Sequence, residues 1–342
     1  MTVKFAAICL SVFFLAPFLR AEPIYTPAYD VDEALAVPSA RDTAIDLLWD
    51  LWRHLPKAKR GPTGLVLSGG GARGMAHIGI LRHLEEIGFP IDSMAATSMG
   101  ALVGGVYAAG VGIEKIEKMA QEIGFSRMSR FTKTKFLTLA LKDGGAPTEL
   151  YQRWLSAAID KKTFAETKFP LAICATDLVT GELILLKEGP LAPALLAAAT
   201  IPGLFRPVSI RQHFLVDGGL LYNIPTEMVA ILGAKNVLVV DVSARSYDQP
   251  MTRPPSSLRA LYRSIEIMGN RMESTTYNGG DYVLRFFPSG VEMFELWRWK
   301  EIWEMGLREA RSHSQQLRLA FITKAIETLG PEFFALEQTA LK

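Results

Sequence analysis

GLVLSGGGARGMAHIGIL, Gly64 to Leu81, sets three consecutive glycines between a short apolar run and a second apolar run with helical spacing. A strand that enters a glycine-rich turn and leaves it as a helix brings backbone N–H groups close to an electron-rich partner. That partner is either a nucleotide phosphate or the oxygen of a reacting ester. GGGARG does satisfy G-x-G-x-x-G at Gly69, Gly71 and Gly74. A dinucleotide site then needs an acidic residue at the end of the second strand. Asp92 has the spacing but stands at the beginning of that strand, at the wrong edge of the sheet. No Lys-Ser or Lys-Thr pair follows the glycines, so a Walker phosphate loop fails too. A dinucleotide-dependent oxidoreductase therefore ranks last among the readings.

The second strand leads instead into AATSMGALVGG, where Ser98 stands between a strand and a helix with Gly100 two residues on. A sharp strand-to-helix turn of this kind exposes a nucleophilic hydroxyl, and small neighbours avoid a clash. Ala96 occupies the place of the first glycine in G-x-S-x-G, which removes some freedom in φ. Taken alone, Ser98 could equally be a helix N-cap. A third segment, HFLVDGGLLYNIP, puts Asp217 at the end of an apolar strand, followed by Gly218 and Gly219. A serine hydroxyl needs a base, and a desolvated carboxylate has the raised proton affinity for that task. Alone, Asp-Gly is an ordinary turn pair.

Together, SGGGARG, TSMGALVGG and VDGGLLYNIP, with ATDLVTGE and AAATIPGLFRPV between them, resemble the patatin-like phospholipase family over about Thr63 to Val242. The resemblance implies a patatin-like three-layer α/β fold with a mainly parallel central sheet. It implies a Ser98–Asp217 dyad without histidine and no cofactor. It also implies an oxyanion loop from Gly69, Gly70, Gly71, Arg73 and Gly74, so that the glycines would meet an ester oxygen. The expected activity is hydrolysis of acyl esters in phospholipids, lysophospholipids or neutral lipids. The chain departs from the family at Ala96 and at Ala198, where a serine is common. Ala96 keeps open a second reading, a lipid carrier that retains fold and pocket. Arg73 could also attract a lipid phosphate.

Histidine as base is not expected. Of His54, His77, His83, His213 and His313, only His77 lies near the glycine loop, and one helical turn in it points away from Ser98. No His, Asp and Glu spacing suggests a metal site.

The surrounding pattern agrees with an α/β domain. GLVLS, IDSMAA, PLAICAT, ELILL, HFLVD and NVLVVDVS read as strands, and Met75–Ile87, Leu191–Ala199 and Pro225–Leu232 as helices. Continuously apolar strands alternating with helices indicate a mainly parallel sheet. At 342 residues, 49% hydrophobic and 21% charged, the chain can bury a sizeable core. A formal charge of +2 argues against nucleic acid as the main partner.

The expected organisation is a signal peptide over 1–21, a linker and amphipathic helix over 22–60, a catalytic domain over 61–250, and an extension over 251–342 packed on that domain, mostly helical apart from DYVLRFF. The signal pattern has Lys4, an apolar run from Phe5 to Phe18 and a small residue at Ala21. It predicts export to the periplasm or medium. Leu19 is bulky for a cleavage site, which leaves an uncleaved anchor as the alternative. Cys9 lies in that segment, so Cys174 in LAICAT would be a lone buried thiol. Ile45, Leu48, Leu51, Trp52 and Leu55 recur at helical spacing, a stripe that should dock on the following domain, with a membrane surface as the other reading. Trp297, Trp299 and Trp303, interleaved with Arg298 and Lys300, suit a lipid headgroup region. Ordinary helix packing is the reading the pattern favours for them, with transient membrane contact as the other.

Overall fold

Side chains alternate across a strand, so a strand buried on both faces needs apolar residues at every position. A computed structural model, which describes residues 40–125, 148–243, 254–255, 257–276, 279–330 and 332–335, shows this directly. The predicted signal segment 1–21 and the linker to residue 39 lie outside the described residues, as does the predicted boundary at 250. In chain order, α1 (Ala40–His54) precedes β1 (Thr63–Leu67), α2 (Ala76–Glu86), β2 (Ser93–Thr97), α3 (Ser98–Ala108) and α4 (Ile113–Phe125). Next come α5 (Thr148–Ala158), β3 (Leu171–Asp177), β4 (Leu183–Leu186), α6 (Leu191–Ala198), β5 (Val208–Ile210), β6 (His213–Asp217), α7 (Thr226–Ile231) and β7 (Asn236–Asp241). The chain continues through α8 (Ser257–Thr276), β8 (Tyr282–Arg285), α9 (Trp299–Ser312) and α10 (Ser314–Leu329). Every residue of β1, β2 and β3 is buried.

The described strands form one sheet in the order β5-β6-β3-β2-β1-β7-β8, with β4 also beside β3. β1 runs parallel to β2 and β7, β2 to β3, and β7 to β8. β4 and β6 lie antiparallel to β3, and β5 antiparallel to β6. The sheet is thus mainly parallel, as the sequence predicts. β5 is an addition, three residues long after Pro207, too short for an alternation pattern.

The two faces of the sheet follow from the pleat. Val66, Ala95, Ala172 and Val239 cluster with Ile224 and with Val229 of α7. Their neighbours Leu67 and Met94 point the other way, against Gly104 of α3. Helices on both faces of a sheet make the three-layer arrangement. On the α3 side, α9 lies along α2, burying Ile302, Gly306 and Ala310 at every fourth residue. An ion pair of 2.8 Å joins Arg311 of α9 to Glu86 of α2.

Gly61–Ser314 makes up one compact unit, and the described residues of Met1–Arg60 and Gln315–Lys342 make up another. In the latter, Trp52 of α1 is 1% exposed, and its ring lies 5.4 Å from that of Phe321 in α10. Ile45, Trp49 and Leu55 are buried with it, and Arg318 pairs with Asp46. The apolar stripe of α1 therefore meets a helix more than 250 residues downstream. Among the described residues, no helix is long and apolar enough to cross a membrane.

Candidate active site

β3 brings the functional residues together through its register. It pairs with the last residue of β2 at Thr97↔Cys174 and with the last residue of β6 at Ala175↔Asp217. Ser98, one step beyond Thr97, is thereby delivered beside Asp217, 119 positions away in sequence. Its Oγ donates to Asp217 Oδ2 at 2.6 Å, a short charge-assisted bond.

Ser98 adopts φ +53°, a left-handed conformation that a non-glycine residue takes up at a cost of about 1–3 kcal/mol. Thr97 is the N-cap and Ser98 the first helical residue of α3, so the hydroxyl serves Asp217 rather than a backbone amide. The strain falls on Ser98, not on Ala96, which sits inside β2 opposite Leu67 and Ile173. Gly100 is confined by backbone. A Cβ there would lie 2.4 Å from the Ser68 carbonyl oxygen and 2.7 Å from that of Leu67.

Asp217 is 7% exposed, and burial pushes its carboxyl up to about 6 against the hydrogen bonds from Ser98 and the Gly219 amide. Oδ1 accepts the Gly219 N–H at 2.8 Å, which closes the turn that Asp-Gly suggested. Asp217 is both a turn residue and the partner of Ser98. Its own backbone is fixed, with N–H donated to Thr200 and carbonyl accepting from Thr176 Oγ1. Gly218 lies against the Cys174 carbonyl.

The glycine loop leaves β1 and passes directly over the serine. A Cβ on Gly69 would lie 3.0 Å from Ser98 Cβ and 2.2 Å from Asn223 Oδ1, so only glycine permits this approach. Ser68 Oγ accepts the Val242 N–H, and His77 Nε2 donates to the Ser68 carbonyl at 2.9 Å. Gly69 N–H donates to the Asn223 carbonyl and Ala72 N–H to that of Met293. Among the described residues, no acceptor reaches the amides of Gly70 or Gly71. Both line the same cavity as Ser98 and Asp217. Of the predicted loop donors, Gly69 is thus already engaged, and Gly74 packs against Met99 outside the cavity. Arg73 lines the cavity, but its guanidinium pairs with Glu266 of α8 at 2.8 Å.

No histidine among the described residues hydrogen-bonds to either member of the pair. His77 is fully buried, its pKa lowered to about 4 by burial. His213 bonds Asp177 and His83 bonds Glu86. Cys174 is buried in β3, and burial pushes its thiol up to about 12, which suits a core residue.

The cavity above Ser98 has a volume of about 100 Å³. Besides the expected residues, Asn223, Tyr262, Ile265, Glu266 and Met293 line it. Asn223 lies in the VDGGLLYNIP stretch and was within reach of sequence reading. The α8 residues carry no local signature. Trp297 is exposed, whereas Trp299 and Trp303 are half-buried.

A strained serine at a strand-to-helix turn, bonded to a buried carboxylate beneath a glycine loop, is an arrangement able to support acyl transfer. Residues 65–230 match the family model described as Patatin-like phospholipase. It is 34% identical over 184 residues to patatin-like phospholipase domain-containing protein ZK370.4 of Caenorhabditis elegans, covering 53% of this chain and 14% of that protein. It is 32% identical over 181 residues to lysophospholipase NTE1 of Mycosarcoma maydis, covering 53% and 10%. The chain spans only a small part of the length of these relatives. Among solved structures, VipD from Legionella pneumophila aligns with a TM-score of 0.42 at 15% identity, over 74% of this chain and 67% of that one.

Proposed function

We propose that this chain is a lipid acyl hydrolase in which Ser98 is the nucleophile and Asp217 the base. The observation that carries the reading is the 2.6 Å bond from Ser98 Oγ to a carboxylate whose proton affinity burial raises. Asp217 Oδ2 takes the hydroxyl proton as Oγ attacks the acyl carbonyl carbon. The carbonyl oxygen becomes an anion beside the free amides of Gly70 and Gly71. A donor aimed at that oxygen lowers the barrier by about 3 kcal/mol, because it acts on charge that exists only in the transition state. The tetrahedral adduct collapses, the C–O bond to the alcohol breaks, and Asp217 returns its proton to the leaving alkoxide. Water then gives a proton to Asp217 and attacks the acyl-serine; the bond from the acyl carbon to Ser98 Oγ breaks, Asp217 passes the proton to Oγ, and the fatty acid leaves.

The substrate class is acyl esters of phospholipids or lysophospholipids, supported by the family model and by the relatives named above. The amino-terminal pattern supports export, and the exposed Trp297 supports transient contact with a lipid surface. The test is fatty-acid release from mixed phospholipid and lysophospholipid micelles by the purified protein and by Ser98→Ala. Release by the parent alone is expected. Equal background from two folded proteins would favour a lipid carrier.

A further inference from the structure

The cavity over Ser98 is small beside sites that enclose a whole ligand. Sites for ligands of modest size begin near roughly 300 Å³, three times the volume of about 100 Å³ found here. Enclosing an acyl chain there would take the movement of one wall. The sheet-borne wall is held by strand pairing on both sides of Ser98 and Asp217. The opposite wall is α8.

Four residues of α8 face the cavity, Tyr262, Ile265, Glu266 and Gly269, spaced as one helical stripe. Two of them tie the helix to the rest of the site. Among its described side chains, only Tyr262 is buried; its hydroxyl donates to the Pro202 carbonyl at 2.8 Å and its ring meets Phe294 at 5.1 Å. The second tie is electrostatic. Arg73 and Glu266, 7% and 17% exposed, join at 2.8 Å from the glycine loop to the helix. Arg73 Nε is buried there without an acceptor.

Among the described residues, the face of α8 turned away from the cavity exposes three large apolar side chains where a solvent-facing helix is usually polar. Leu261, Ile267 and Met268 are 54%, 42% and 65% exposed, with Ser264 and Arg271 exposed among them. Flexible aliphatic side chains beside an arginine are the composition of a helix that lies in a lipid interface.

We infer that α8 is an interfacial lid, closed over Ser98 by the Arg73–Glu266 pair and opened when its Leu261–Met268 face enters a lipid surface. This rests on the lipid acyl hydrolase reading for its substrate, but not for its measurement. The lipid surface is the occupant because the exposed face belongs to the same helix that walls the ester site. A surface that takes up Leu261 and Met268 then delivers its lipids to that site. Opening breaks the ion pair, moves Glu266 toward water and leaves the Arg73 charge at the cavity wall. No covalent step is involved.

The experiment places an environment-sensitive nitrobenzoxadiazole label at Met268→Cys in the full chain carrying Cys9→Ser and Ser98→Ala. Vesicles of mixed phosphatidylcholine and phosphatidylglycerol are then titrated in. A blue shift with increasing lipid is expected without any hydrolysis. Glu266→Gln should bring the midpoint to about tenfold less lipid, the shift that loss of a charge-assisted hydrogen bond gives. Leu261→Ser with Ile267→Ser should raise it severalfold. With Ser98 intact and no label, Glu266→Gln should raise turnover of soluble p-nitrophenyl butyrate severalfold. An unshifted label at saturating lipid overturns the proposal, as does an unchanged midpoint in Glu266→Gln. A shift that follows protein concentration without vesicles overturns it in favour of a second copy of the chain. A shift with vesicles but no Ser98-dependent turnover leaves the lid standing and removes the hydrolase reading.

Discussion

Burial raises the proton affinity of Asp217 to about 6, and that one value governs both a rate and a stability. In its proposed role as base, the carboxylate must be ionised in the free protein, so kcat/KM should fall on the acid side with an apparent pKa near 6. A limb near the ordinary carboxylate value of 3.8 would remove the desolvated base from the mechanism. For stability the sign is opposite to that of a salt-bridged aspartate. The folded state prefers the protonated form, so the contribution is fully present below 3.8 and is lost as pH rises through about 6. The loss is on the order of 3 kcal/mol at neutral pH. Asp217→Asn, which stays neutral, should therefore melt above the parent at pH 8 and lose that lead by pH 4. Thermal melts of the two proteins across that range measure it, and a lead independent of pH would contradict the raised pKa. The same variant should be inactive at every pH. Loss of function with gain of stability is what the proposed role of a buried carboxylate implies.

At the scale of elements, the site depends on where two loops are forced to cross. Gly100 sits in the first turn of α3 with the Ser68 and Leu67 carbonyl oxygens directly beneath it. Backbone of a central strand cannot step aside, so Gly100→Ala must displace the start of α3 and with it Ser98. Overpacking of this kind costs about 1–3 kcal/mol, and ester turnover should fall further than that stability change explains. Turnover and melting temperature both unchanged would mean that α3 is not held against β1. Gly100, Ser98 and Asp217 were legible because each sits at a strand end with a local signature of small residues. The central strands were legible for a related reason: β1, β2 and β3 are buried on both faces, so PLAICAT and its like admit no polar residue. β5 was not, since VSI is too short to show a period. Glu266 and Tyr262 were not either. Their partners, Arg73 and Pro202, lie 193 and 60 positions away, and nothing within α8 distinguishes an inward residue from one that closes an active site. Likewise the stripe of α1 announced a helix that must be covered, but not that α10 would cover it.

Charge belongs to the molecule as a whole, and here it limits how the protein can meet its substrate. Lys4 and Arg20 are the only charged residues in the first 21, so without them Lys+Arg falls from 37 to 35, level with the 35 Asp+Glu. An exported form cleaved after Ala21 would carry no formal net charge apart from histidine. Long-range attraction to an anionic bilayer then has no monopole to act on, and whatever field the arginines of α8 produce is screened within about 10 Å at 0.1 M salt. Apolar burial is insensitive to salt on that scale, so it must supply most of any affinity for lipid. The expected outcome is that fatty-acid release from vesicles changes by less than about twofold between roughly 0.05 and 0.5 M sodium chloride. Zwitterionic and mixed anionic vesicles should also differ little in the amount of bound protein. A steep fall in release with salt would mean that local cationic patches, and not Leu261, Ile267, Met268 and Trp297, hold the protein at the surface. Binding that survives salt but is lost in Leu261→Ser with Ile267→Ser would place the affinity on the apolar face of α8. The helix that closes the cavity would then also be the one that senses the bilayer, and access to Ser98 would be confined to the place where the substrate lies.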